Sequence, residues 1–290
     1  MMTKNILEIT EKLEKGLSEL FESEKYREYL TFMSKFHNYS FNNSLLIAMQ
    51  KPDATLVAGY HAWSSQFNRH VKAGEKAIRI LAPAPYKRKV QSKGNTATDP
   101  ETESETEIII TAFKPAFVFD ISQTEGKEIP SITADELHFS VSNFKTFLEA
   151  LIHISPVPIK FENIETDAKG YFSNVEHYIV IQKDMSEAQT IKTTIHEICH
   201  SILHDSNNTE SNEIEKKSRS TKEVEAESVA YPVCQHFGID TSDYSFGYIA
   251  SWSSDKELKE LKESMELIRK TSSEIITNIE KYILSQEKGA

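Results

Sequence analysis

The sequence contains few cysteines and no long apolar run. Its two cysteines, Cys199 and Cys234, are too few for a disulfide framework and fit a reducing compartment. No apolar run reaches the roughly 18 residues that a spanning helix needs, and the opening residues, MMTKNILEITEKLEKG, have no apolar signal core. We therefore expect a cytoplasmic protein with no membrane partner.

Positive charge is also scarce, because the 290 residues carry a formal net charge of −11. A chain this acidic should repel nucleic acid. The basic residues are nevertheless concentrated, since residues 31–90 contain nine Lys and Arg side chains against two acidic ones. A basic block in an acidic chain is more informative than the same block in a basic protein.

Apolar periodicity predicts an α+β protein with two domains, 1–130 and 131–290, separated near ISQTEGKEIPSITADEL. The polar stretch 91–107 is predicted to be a solvated loop. The main helices are expected at about 4–30, 135–154, 186–204, 222–237 and 254–286. Short strands are expected at about 55–58, 77–81, 108–119, 159–161, 170–172 and 178–181.

The stretch TIHEICHSILH, residues 194–204, contains two histidines four positions apart. On a helix such residues lie one turn above each other, about 5–6 Å between Cβ atoms. His196 and His200 can therefore converge on one zinc ion at about 2.0–2.1 Å. Glu197 lies about 100° round the helix, outside the ligand set but within reach of a bound water, as a general base requires.

A third ligand must come from another part of the chain. His204 lies about 12 Å along the helix from the first histidine, too far for one ion, and the three-histidine form of the motif fails because position 206 is a serine. The segment EVEAESVA on the next predicted helix places Glu223 and Glu227 on one face, with Glu225 pointing away. We predict Glu223 as the ligand in preference to Glu227, and Glu227 as the carboxylate that hydrogen-bonds a ligand histidine. The alternative is a solvated acidic face.

Aromatic residues are interleaved with the basic ones in the block 31–90. A positive groove with exposed rings is how proteins hold single-stranded nucleic acid, each stacked base contributing about 1–3 kcal/mol. Rings in a domain of this size also form its core, so both interpretations stay open. The residues concerned are Phe36, His37, Tyr39, Phe41, Tyr60, His61, Trp63 and Phe67.

Taken together, HEICH and EVEAESVAYPVCQHFGI resemble the ArdC-like antirestriction proteins of mobile genetic elements and, more distantly, metallopeptidases of the ImmA/IrrE type. Positions 196, 197, 200, 223 and 227 match the family pattern in turn. Further matches are FHNYSFNN, VAGYHAW, KAGEKAI, VFDISQTEG and YIASW. One departure is Asn68, which stands before Arg69 where the family usually has glycine.

The resemblance implies an N-terminal domain that binds single-stranded DNA and a C-terminal zincin-like metallopeptidase domain with a small mixed sheet. It also implies a role in protecting entering DNA from host restriction. The residues that we predict to contact DNA are Tyr60, Trp63, Arg69, Lys72 and Lys76, although Trp63 could equally anchor the core of the domain.

The leading hypothesis is a peptidase in which His196, His200 and Glu223 hold zinc, whose bound water becomes acidic near neutral pH. Manganese suits the same ligands. Glu197 would be the base, and the strand at 178–181 could be the sheet edge that receives an unidentified peptide or protein substrate. Two alternatives remain: a non-catalytic DNA-binding protector with a structural or vestigial metal site, and a metallopeptidase that acts on a regulatory protein.

Overall fold

The computed structural model describes residues 4–92, 104–129, 144–207, 217–244 and 246–287. Within these ranges the protein is α+β, as predicted. No helix in the described ranges has the length and apolar character needed to cross a membrane. The predicted boundary after residue 130 and the start of the helix expected from about 135 lie outside the described residues.

Three helices open the chain: α1 (Lys4–Leu20), α2 (Ser23–Lys35) and α3 (Phe41–Gln50). The prediction of one continuous helix over 4–30 was wrong, because Glu22 has an extended backbone with ψ of 134°. The break lets α2 turn so that the hydroxyl of Tyr26 donates a hydrogen bond of 2.7 Å to Ser228, 202 residues away. Tertiary packing thus overrides a local helical pattern.

A small antiparallel sheet follows, with strand order β1–β6–β3. The elements of this region are β1 (Val57–Gly59), α4 (Tyr60–Ser65), β2 (Arg69–Val71), β3 (Ile78–Pro83), β4 (Tyr86–Ser92), β5 (Ser104–Ile110), β6 (Phe113–Asp120) and β7 (Thr124–Gly126). Strand β2 pairs with β7, and β4 pairs with β5. One face of the sheet, which includes Ile78, Ile80 and Val118, packs with Ile47 of α3 in a small core.

The C-terminal half contains a mixed sheet and a layer of helices, which confirms the predicted small mixed sheet and HExxH helix. Its elements are α5 (Phe144–Ile154), β8 (Ile159–Glu162), β9 (Gly170–Ser173), β10 (Tyr178–Gln182), α6 (Glu187–Leu203), α7 (Arg219–His236), α8 (Ile249–Ser254) and α9 (Leu258–Glu287). The strand order is β8–β10–β9, with β10 parallel to β8 and antiparallel to β9. The hypothesis that residues 178–181 form the sheet edge was therefore wrong: β10 is the central strand and β9 is an edge.

One large hydrophobic core joins the two halves of the chain. It contains Leu17 of α1, Leu30 of α2 and Leu46 of α3 together with Ile195 of α6 and Ile276 of α9. The first three helices therefore pack against the C-terminal helices, while the antiparallel sheet keeps its own smaller core. The division into domains 1–130 and 131–290 stays a prediction.

Candidate metal centre

Helix α6 presents a buried face to the core and an open face to a cleft. Ser186 caps its N-terminus, where the serine side chain accepts a hydrogen bond from the backbone of Gln189. Ile191, Ile195 and Ile198 are buried at the three- and four-residue spacing of a core-facing stripe. The two histidines lie on the other side of the helix, so the same periodicity that anchors α6 points their rings outward.

Three side chains converge at this open face: His196 and His200 from α6 and Glu223 from α7. The two Nε2 atoms lie 3.1 Å apart. Glu223 Oε2 lies 3.4 Å from His196 Nε2 and 3.6 Å from His200 Nε2. Tetrahedral coordination with bonds of about 2.0–2.1 Å separates two ligand atoms by about 3.3–3.4 Å. The three observed distances therefore fit one face of such a tetrahedron, and the donor set suits a divalent ion.

The electrostatics of the three groups are coupled. The neighbouring rings of His196 and His200 hold the pKa of Glu223 well below its usual range. Burial disfavours the charged form of His196, but the neighbouring carboxylates, Glu223 foremost, raise its pKa above the ordinary value. Within the described ranges this is the one group of three or more His, Cys, Asp or Glu side chains close enough to share an ion.

Glu197 lies beside the cluster and is 7% exposed. Burial raises its pKa, although the two neighbouring histidines act in the opposite direction. The backbone of Phe172, in the edge strand β9, also acts to lower the pKa of this carboxyl. The side chain is thus held between α6 and the edge strand, facing the same open space as the histidines.

The open space is a cleft along β9, formed by two cavities of about 500 and 510 Å³. Both cavities are lined by Gly170, His196 and Glu197. One extends towards Lys192, Asp243 and Tyr244, and the other towards Arg219, Lys222 and Glu223. The convergent donors therefore lie in the middle of a groove that has an edge strand as one wall.

The prediction for the supporting carboxylate was wrong. Glu227 makes no hydrogen bond to a ligand histidine, and its buried Oε2 has no hydrogen-bond partner among the described residues. Burial raises the pKa of Glu227. Instead Glu225, expected to point away, is 1% exposed and accepts a hydrogen bond of 2.9 Å from Nε2 of His204. The reason is the packing of α7 against α6, which buries the face that carries Glu225.

His204 in turn contacts a candidate ligand, since its Nδ1 lies 2.9 Å from Nδ1 of His200. Sequence reasoning rejected His204 as a ligand and interpreted it as a histidine near a helix C-terminus. The signal was present, because residues four apart on a helix are neighbours and His200 and His204 repeat the spacing of the first pair. The partner Glu225 could not have been identified without the packing of the two helices.

The residues predicted to contact DNA fall into two groups. Tyr60 is 56% exposed, and Lys72 and Lys76 are also exposed. Trp63 is fully buried at 0% exposure, and its indole N–H donates to the carbonyl of Phe119. A base cannot stack on a ring inside the core, so the prediction that Trp63 contacts DNA was wrong, and its alternative as core anchor describes what is observed.

Arg69 is a structural clamp in this structure. Its guanidinium donates to the side chain and carbonyl of Thr124 and to the carbonyl of Lys127, at 2.7, 2.9 and 2.6 Å. These bonds hold β2 against β7 and commit most of the guanidinium N–H donors inside the protein. Asn68 adopts the left-handed conformation with φ of 54°, which asparagine tolerates better than most residues and which explains how it replaces glycine there.

Sequence reasoning missed two exposed rings on β6, Phe113 and Phe117, which are 50% and 56% exposed. They share one face of the strand because side chains alternate. Phe117 lies directly opposite the exposed Arg79 of β3, and Phe119, next but one on the same face, contacts the ring of Tyr60 at 6.2 Å between centroids. The alternation in FKPAFVFD was the available signal.

Comparison with known proteins gives two family matches. Residues 1–119 match the family described as the N-terminal domain of anti-restriction factor ArdC. Residues 154–237 match a peptidase family described as the IrrE N-terminal-like domain. An uncharacterized protein of Bacillus anthracis is 27% identical over 315 residues, covering 95% of this chain and 51% of the relative. The chain thus spans about half the length of that curated relative.

The fold is also similar to that of a solved protein. The metal-free crystal structure of the antirestriction protein ArdC from plasmid R388 superposes with a TM-score of 0.53 and 19% identity, over 85% of this chain and 86% of that one. The Mn(II)-bound structure of the same plasmid protein superposes with a TM-score of 0.47 and 15% identity, over 84% of each chain. The first of these likenesses shows a shared fold.

Proposed function

Since the chain is an ArdC-like protein, with an ArdC N-terminal domain followed by an IrrE N-terminal-like domain, we propose that it is an antirestriction protein of a mobile element. Its C-terminal half acts as a metal-dependent peptidase, and its N-terminal half binds single-stranded DNA. One observation carries the peptidase proposal: three donors lie 3.1, 3.4 and 3.6 Å from one another, beside a carboxylate in an open cleft.

His196, His200 and Glu223 would hold the ion, which we propose to be zinc, with manganese as the alternative that the same donors allow. Such an ion supplies Lewis-acid polarisation of a substrate carbonyl and makes water in the site more acidic. Glu227 stays outside the set of three convergent donors. Glu223 is therefore the ligand that this proposal requires.

Glu197 performs the proton transfers in this proposal. Its carboxylate takes a proton from the attacking water as the new C–O bond forms at the peptide carbonyl. It then returns that proton to the nitrogen of the leaving amine as the C–N bond breaks, so the carboxylate is regenerated. The carboxylate lines the cleft together with Gly170 of β9, so it lies beside the strand that would receive the substrate.

Strand β9 would position the substrate. Its partner β10 occupies one side of it, and the cleft lies alongside. An extended peptide added to this edge would run past His196 and Glu197, which line the same groove. Substrates would therefore be unfolded segments or exposed loops of a protein.

The metal and peptidase proposals are tested with three variants. Metal analysis of the purified protein should give one ion per chain for wild type and Glu227→Ala, and much less for Glu223→Ala. Glu197→Gln should retain the ion and lose cleavage of unfolded protein substrates. Equal metal loss in Glu223→Ala and Glu227→Ala would contradict the ligand assignment, and full cleavage by Glu197→Gln would contradict the role of the base.

The DNA-binding proposal is supported by a surface of exposed rings and cations. Tyr60 and Phe117 are each 56% exposed, and Arg79 is exposed beside Phe117. Aromatic rings beside cations suit stacked bases and tracking phosphates. Lys72 and Lys76 add positive charge to the N-terminal half of the chain. Arg69 instead stabilises this half through its hydrogen bonds within the protein.

Fluorescence anisotropy with a labelled oligothymidine tests this surface. Wild type should bind, and binding should weaken as salt rises because phosphate contacts release counterions. Phe117→Ala should weaken binding about 5- to 150-fold, from the loss of one stacked base worth about 1–3 kcal/mol. Tyr248→Ala, an exposed ring in the C-terminal half, is the matched control. Salt-independent binding, or equal loss in both variants, would contradict the proposal.

The two alternative functions differ from this proposal in the role of the peptidase. If the protein only covers DNA, Glu197→Gln should protect entering DNA in a restricting host as well as wild type does. If a regulatory protein is the target, protection should depend on Glu197 but survive Phe117→Ala. A protection assay with both variants separates the three functions.

A further inference from the structure

Behind the candidate metal centre, a series of side-chain contacts connects His200 to the N-terminal end of α7. His200 Nδ1 lies 2.9 Å from His204 Nδ1, and His204 Nε2 lies 2.9 Å from Glu225 Oε2. Lys217 donates to both carboxylate oxygens of Glu225, each at 2.8 Å. Each of these contacts between side chains has the length of a good hydrogen bond.

These groups are largely buried, so their stability depends on the hydrogen bonds and ion pairs that they make with one another. The side chains of His204 and Glu225 are 2% and 1% exposed, and that of Lys217 is 27% exposed. A buried carboxylate without partners is strongly destabilising, whereas Glu225 has three hydrogen bonds. The ammonium of Lys217 balances its charge, so His204 needs to carry only one ring proton.

The chemistry of the donors sets the direction of each bond. An ionised carboxylate only accepts hydrogen bonds, so the ring proton of His204 belongs on Nε2, which faces Glu225. The Nδ1 atom of His204 is then an acceptor. His200 must place its own proton on Nδ1 to donate to it, which leaves the lone pair of His200 Nε2 bare and directed at His196 and Glu223.

We propose that Glu225, acting through His204, positions His200 and selects its metal-binding tautomer, with Lys217 holding the carboxylate in place. The three are positioning residues, since none of them belongs to the set of convergent donors. The inference rests on the proposed metal site. It extends that site by assigning a function to a histidine and a glutamate that the motif itself does not require.

The first test is the tautomer of His200 in the metal-free protein. Long-range 1H–15N spectra of 15N-histidine-labelled protein distinguish Nδ1–H from Nε2–H rings. Wild type should show His200 as the Nδ1–H form. Glu225→Gln should give a mixture, because an amide can either donate to or accept from His204. An unchanged His200 signal in a folded Glu225→Gln protein would overturn the proposal.

The second test is the affinity for Zn2+, measured by competition with a chromophoric chelator. Removing the partner of a ligand histidine typically lowers metal affinity 10- to 100-fold, and we expect Glu225→Gln to fall in that range. Glu280→Gln is the matched control, since Glu280 makes the same 2.9 Å bond to His236 elsewhere on α7. Loss of affinity in both variants, or in neither, would overturn the proposal.

A pair of variants at position 204 remains informative if Glu225→Gln fails to fold. Gln in place of His204 retains an acceptor for the Nδ1–H of His200, whereas Leu does not. His204→Gln should therefore bind Zn2+ more tightly than His204→Leu, and equal affinities would contradict the proposal. If wild type binds no Zn2+, the proposed function fails, while the spectra of the metal-free protein still test the positioning of His200.

Discussion

Gly170→Ala provides a sharp test of how the edge strand is seated on the HExxH helix. Gly170 begins β9 and lines both cavities of the cleft. A Cβ atom at this position would lie 2.7 Å from Thr193 Cγ2, 3.1 Å from the carbonyl oxygen of Val180 and 3.2 Å from Glu197 Cγ. Val180 belongs to β10, the strand with which β9 pairs. The backbone of Gly170 therefore has little freedom to move away.

The magnitude follows from these distances. Carbon atoms in good contact are about 3.5–4.0 Å apart, so Thr193 or the strand must shift by about 1 Å. Overpacking of this kind costs about 1–3 kcal/mol. Where space is available, Gly→Ala instead stabilises by about 0.4–1 kcal/mol through the unfolded state. A decrease in the free energy of unfolding therefore indicates that Gly170 packs this closely against Thr193, and an increase indicates free space at this position.

Urea unfolding of four proteins completes the test: wild type, Gly170→Ala, Thr193→Ser and the double variant. Serine removes the Cγ2 atom but keeps the oxygen that accepts from Gln189. The double variant should recover about 0.5–1.5 kcal/mol relative to additivity, because the two sites are in contact. A stabilising Gly170→Ala, or strictly additive changes, would refute the reasoning.

Three further predictions concern the rest of the molecule. Trp63→Ala should lower the unfolding free energy by about 3–5 kcal/mol in urea denaturation, since it empties a fully buried site; a stable variant that only loses DNA binding would contradict its place in the core. Arg69→Lys should cost about 1–3 kcal/mol in the same assay, because lysine cannot reproduce the three bonds to Thr124 and Lys127, and an unchanged midpoint would argue against the clamp. Burial and the neighbouring His236 lower the pKa of His37. As pH falls, this histidine is therefore protonated in the unfolded chain before it is protonated in the folded protein. The free energy of unfolding should then decrease below pH about 6.5, by up to about 1.4 kcal/mol per pH unit. His37→Gln should flatten that dependence between pH 7 and 5, while Glu280, whose pKa is lowered by its bond to His236, stays ionised across the window.

Local patterns predicted the elements that carry the candidate site. The helix expected at 186–204 is observed at Glu187–Leu203, and the helix expected at 222–237 at Arg219–His236. Spacing along one helix was enough to place His196 and His200 side by side, because that geometry depends only on the helical repeat. The proposed third donor was predicted from the next helix, and the structure brings its carboxylate to the two rings.

One error is local: the described ends of the loop predicted at 91–107 belong to the paired strands β4 and β5. The other errors concern contacts between elements far apart in sequence. Periodicity extended one helix through Glu22, although packing of Tyr26 against α7 requires a break there. It gave no strand order, so β10 was taken as the edge. An aromatic residue in a basic segment has the same local signature in the core as on the surface, and Trp63 lies in the core.

By itself the sequence determined which side chains could serve as ligands, base and cations, because residue type and helical spacing are properties of the local chain. Only the tertiary structure decided that Glu225 and not Glu227 supports a histidine, and that β9 borders the cleft. The physical reason is that burial and hydrogen-bond partners depend on how α6, α7 and the sheet pack together. That packing is set by the whole apolar core and by no single segment.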